Sequence, residues 1–105
     1  REPGPVDQEE GWIERRLGVY RAPLTQSTIR RADDGKGLEI ELISYNPFSG
    51  DPAPAKSFPV TTLQEGMMVT EGALKGAVID FIDGDQGESA PPAYARVGLR
   101  LAKRQ

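Results

Sequence analysis

Residues 66–85 read GMMVTEGALKGAVIDFIDGD, and the run Ala77-Val78-Ile79-Asp80-Phe81-Ile82 within them is the densest apolar stretch of the chain. Its β-branched and aromatic content predicts a strand, and the acidic, glycine-rich residues after it predict a loop. Gly66–Thr70 is a short strand before it, and Glu71-Gly72 fits a type II turn. The next strand then covers Ala73–Ile82, with Gly76 as a bulge. The competing element is a helix from Thr61 through Leu74 using Leu63, Met67 and Leu74. Gly66 and Gly72 would each cost such a helix about 1 kcal/mol, so strands are favoured.

Downstream, Asp83–Pro92 reads as a loop and Tyr94–Lys103 as one clean strand. Ala95, Val97, Leu99 and Leu101 share one face of that strand; Tyr94, Arg96, Gly98 and Arg100 share the other. Upstream, Ser57–Thr62 is a strand whose Pro59 suits a sheet edge. Residues 46–56, NPFSGDPAPAK, form a long loop in which three prolines remove backbone donors. Phe48 is its one large apolar group. It either folds back over the core edge or stands out as a contact residue.

Residues 38–45, LEIELISY, alternate: Leu38, Ile40 and Leu42 on one face, Glu39 and Glu41 on the other. With a polar strand over 24–32 and the turn Asp33-Asp34-Gly35-Lys36-Gly37, residues 24–45 predict a hairpin. Residues 1–10, REPGPVDQEE, read as a flexible lead-in to a single domain over 11–105. Asp7 and Glu10 have the spacing of a capping box, which would start a short helix carrying Trp12, Ile13 and Leu17 and ending at Gly18. A strand through Trp12 to Tyr20 is the alternative. The whole predicts an all-β, mainly antiparallel domain: a small sandwich or partly closed barrel of six to seven strands, with one short N-terminal helix under the first alternative.

Composition narrows the chemistry. The chain has 105 residues, 37% of them hydrophobic, with 12 glycines and 9 prolines. That length supports one core, burying roughly two thirds of the unfolded surface. There is no cysteine and no histidine. Disulfides, thiolate or imidazole metal sites and Ser-His-Asp or Cys-His catalysis are therefore excluded. No apolar stretch reaches the roughly 18 residues of a membrane-spanning helix, so no direct membrane insertion is expected of this segment.

Net charge is −3, but unevenly distributed. Residues 11–36 carry a net +3, residues 37–92 a net −7 and residues 93–105 a net +4. Arginines with nearby Tyr20 and Tyr94 are too sparse to predict a base-stacking surface, and no nucleic-acid partner is expected.

Asp80, Asp83, Asp85 and Glu88 crowd around two glycines, as in a calcium loop. Gly87 stands where a third ligand belongs and Tyr94 at the twelfth position, so solvated charges are expected and no metal or other cofactor. Asp80 is either ion-paired with Arg96 or Arg100 or a general acid. A carboxylate pair of Asp80 with Glu39, Glu41 or Glu71 would suit a glycosidase, though such pairs arise by chance. The strand pattern of Phe58–Ile82 is similar to soluble domains of some membrane-anchored bacterial assembly proteins. That resemblance implies an extracytoplasmic domain of an assembly protein as one alternative.

The expected function is a non-catalytic interaction module, a subunit or excised domain of a larger assembly, with a protein partner or a second copy of itself. Tyr94, Arg96, Arg100 and Phe48 are its predicted contact residues, because Arg and aromatic residues dominate interface hot spots. A small carboxylate-based hydrolase is the other alternative.

Overall fold

A computed structural model of the protein describes residues 5–33, 35, 37–85, 87, 90–97 and 100–105, and of Arg100 and Leu101 the backbone alone. A short helix, α1 (Glu10–Arg16), precedes eight strands. These are β1 (Gly18–Ala22), β2 (Thr25–Arg31), β3 (Leu38–Ser44), β4 (Lys56–Thr62), β5 (Gly66–Val69), β6 (Val78–Ile82), β7 (Tyr94–Val97) and β8 (Arg100–Arg104). Each strand pairs antiparallel with the next, and β1 pairs with β8, so the meander closes into a barrel. The all-β antiparallel class holds, while the sandwich or partly closed barrel of six to seven strands gives way to a closed barrel of eight.

Two differences account for the count. The last predicted strand is two: Tyr94 pairs with Lys103, Ala95 with Ala102, Arg96 with Leu101 and Val97 with Arg100. Apolar–polar alternation runs through the break and conceals it, since Gly98 and Leu99 continue the period in sequence. The second difference is β1, which follows directly on α1. The helix starts after Glu9, whose side chain makes no cap hydrogen bond, so the Asp7–Glu10 capping box does not form. The strand expected from Ala73 begins only at Val78. Gly72 and Gly76, with φ of 87° and 92°, turn residues 70–77 into a loop instead.

An eight-stranded barrel has an interior that side chains alone can fill. Here Tyr20, Ile29, Ile40, Met67, Val69 and Ile79 are fully buried. Leu38 and Ile40 lie on the inner face as their alternation predicts, and Leu42 is half-buried behind them. Ala95 and Ala102 on β7 and β8, beside the large Tyr20 ring on β1, give the small–large alternation that fits a narrow barrel. Gly66 is required by close approach: a Cβ there would fall on the carbonyl oxygen of Ile79 across the β5–β6 pair.

The antiparallel meander sorts the connections onto two rims. Odd strands begin and even strands end at one rim, which α1 covers with Trp12, Ile13 and Leu17 packed against the core. The β4–β5 turn lies at this rim too. Residues ahead of the helix are tied there: Val6 N–H donates to Thr62 O, and Gln8 Nε2 donates to Leu63 O at 2.7 Å. The 45–55 and 70–77 loops project from the opposite rim.

Candidate functional site

Phe48 stands at the tip of the 45–55 loop with 97% of its surface exposed. It does not fold back over the core. The tip is a hydrogen-bonded structure of its own. Asn46 Oδ1 accepts the backbone N–H groups of Phe48 at 2.8 Å and Ser49 at 3.1 Å, an Asx turn. Gly50 N–H donates to Asn46 O, Asn46 N–H donates to Asp51 O, and Tyr45 bridges to Pro52. At its base the Arg21 guanidinium lies 4.3 Å from the centre of the Tyr45 ring. Leu24, 46% exposed, is on the same rim, and its carbonyl accepts Tyr45 N–H. The local sequence builds this: Asn46 before Pro47 favours turn initiation, and Gly50 at φ 76° closes it.

The other predicted contact residues lie elsewhere. Tyr94 begins β7 at the helix-capped rim, half-buried opposite Ile82 and Lys103. Arg96 is on the outer face of β7 and its Nη2 lies 3.0 Å from Asp80 Oδ2. Both side chains are about half exposed, so the pair is a solvated surface ion pair rather than a buried acid. Arg100 pairs with Val97, not on the register row of Arg96; its side chain is outside the described residues. Phe48 is thus at one rim, Tyr94 at the other, and the four do not form a single surface.

The carboxylates named for hydrolysis are likewise separated. Glu39 and Glu41 both bind Arg30, at 3.1 and 2.9 Å, on the outer wall of β2 and β3. Glu71 is in the loop of the far rim. Asp83 and Asp85 are exposed, and Glu88 lies outside the described residues. Among the described residues no three acidic groups gather as a metal site would require, and no helix is long and apolar enough to cross a membrane.

A second feature was not foreseen from the sequence. Where β5 begins and β6 ends, a groove of about 290 Å³ opens in the capped rim. Trp12, Arg15 and Arg16 of α1 form one side, Gln64 and Glu65 of the β4–β5 turn another, and Phe81 and Asp83 the third. It adjoins a shallower depression of about 370 Å³ running past Gln64 and Glu65 to Val78 and Asp80. The aromatic wall is rigid. Trp12 and Phe81 meet edge to face with ring centres 6.4 Å apart, and the buried Arg16 guanidinium covers the Trp12 ring at 3.9 Å. Arg16 Nη1 also donates to Trp12 O at 3.0 Å.

Behind the groove, the C-terminal end of α1 is clamped. Tyr20 Oη donates to Arg16 O at 2.9 Å; Arg104 Nη1 donates to Leu17 O at 2.9 Å and to Tyr20 Oη at 3.0 Å. A cation at a helix C-terminus satisfies otherwise open carbonyls and suits the helix dipole. Only barrel closure brings Trp12 and Phe81 together, so no local spacing signals the groove. No known protein family and no curated protein sequence matches this chain.

Proposed function

We propose that the protein is a non-catalytic contact module of a larger assembly and that the Phe48 tip is its principal contact. The observation that supports this reading is an aromatic side chain almost wholly in water on a backbone fixed by its own hydrogen bonds. Burying a Phe side chain is worth about 1.5–3 kcal/mol, which this position leaves unused in the free protein. A pre-ordered loop loses little conformational entropy on binding, so more of that gain would appear as affinity. The carboxylate-hydrolase alternative has less support, because Asp80, Glu39 and Glu41 are each already engaged in an ion pair with arginine.

The test is Phe48→Ser. Stability should stay within about 0.5 kcal/mol of the parent, as for a surface position without structural contacts. Affinity for the protein's co-purifying partner, measured by titration calorimetry, should fall at least about tenfold, or 1.4 kcal/mol. Unchanged affinity in a folded variant refutes the reading.

A further inference from the structure

We propose that the partner is a second copy of this chain: the Phe48 tip of one molecule enters the groove beside Trp12 and Phe81 of the next, head to tail. This deepens the contact-module reading and rests on it. The molecule carries a knob and a hole on opposite rims. The groove, at about 290 Å³, lies at the floor of the roughly 300–1,000 Å³ range of small-molecule pockets and suits one inserted side chain. Its wall holds the edge-to-face Trp12–Phe81 pair with the Arg16 guanidinium over the Trp12 ring, so an entering ring meets aromatic surface and a cation together.

Charge favours the same pairing. The groove rim is net acidic: Glu9, Glu10, Glu14, Asp33, Glu65, Asp83 and Asp85 stand against Arg15, Arg16, Arg31, Lys103 and Arg104, with Glu10 and Glu14 already paired to Arg31. The tip rim carries Arg21, Lys56 and Lys75 against Asp51 and Glu71. Tip to groove therefore brings unlike rims together, whereas groove to groove would oppose two acidic surfaces. Knob and hole on opposite rims make a heterologous contact, so association continues beyond a dimer into a ring or a filament.

Sedimentation velocity and equilibrium on four samples test this. Wild-type mass should rise with concentration past the dimer. Phe48→Ser, lacking the knob, and Gln64→Trp, filling the hole from an exposed turn position, should each be monomeric alone. Their equimolar mixture should form a one-to-one pair and nothing larger, because each supplies what the other lacks. Glu65→Lys is a second hole variant, should Gln64→Trp alter the circular dichroism of the fold. A wild-type protein that stays monomeric to about 1 mM overturns the proposal, as does a mixture of folded variants that fails to associate. If Phe48→Ser loses a different protein partner while wild type is monomeric, self-association fails and the contact-module reading stands. If Phe48→Ser changes neither association, both fail.

Discussion

Tyr20 is the residue on which the capped rim turns. It is fully buried, yet its hydroxyl donates to Arg16 O and accepts from Arg104. Burial raises its pKa above the ordinary 10.0, opposed by the charge and hydrogen bond of Arg104 and by the charge of Arg16. The folded protein therefore holds the phenol proton at pH values where the unfolded chain has released it. This contribution to stability is complete below the unfolded pKa and is lost as pH rises through the folded one. Tyr20→Phe should cost about 1–3 kcal/mol at neutral pH, by leaving Arg16 O and Arg104 short of a partner. Urea unfolding followed from pH 7 to about pH 11 should show the variant losing less stability above pH 10 than the parent. Parallel losses would mean that Tyr20 does not titrate differentially. None of this was legible in the sequence, where Tyr20 stood only as an aromatic near arginines. Phe48 was half legible: a lone Phe among prolines marks a loop, but nothing in the local sequence says which way it points.

At the scale of elements, what was legible followed burial on one face. Leu38 and Ile40 alternate with Glu39 and Glu41, and β3 lies where that pattern puts it. The β7–β8 hairpin was illegible for the same reason. Alternation counts residues, not pairing partners, and in sequence it runs unbroken from β7 into β8, although Val97 pairs back on Arg100. The helix was ambiguous because seven residues with Gly11 carry little propensity, and tertiary contacts hold it. Those contacts are unequal. Arg31 binds Glu10 and Glu14 from β2, with all three side chains substantially exposed. Arg104 instead reaches under the helix to Leu17 O and Tyr20. Arg31→Ala should therefore leave the denaturant midpoint almost unmoved, while Arg104→Ala should lower stability by about 1–3 kcal/mol. A larger loss from Arg31→Ala would assign the attachment of α1 to its outer ion pairs.

For the whole molecule, closure is the costly step. Seven of the eight strand pairings join sequence neighbours, and only β1 with β8 spans the chain, through Tyr20–Arg104 and Arg21–Lys103. Bringing such distant segments together costs chain entropy that local hairpins avoid. The Arg104 clamp and the Gln105 N–H bond to Val19 O lie at that seam, so closure and docking of α1 use the same residues. The two should be one cooperative event. Trp12, the sole tryptophan, reports on the helix and its contacts with Arg16 and Phe81, while far-UV circular dichroism reports on the strands. In guanidinium unfolding of Phe48→Ser, which lacks the proposed self-contact, both signals should give the same midpoint and slope. Arg104→Ala in that background should shift both together. A Trp12 transition at lower denaturant than the strand signal would show that the cap opens while the barrel stays closed, and would separate docking of α1 from closure of the seam.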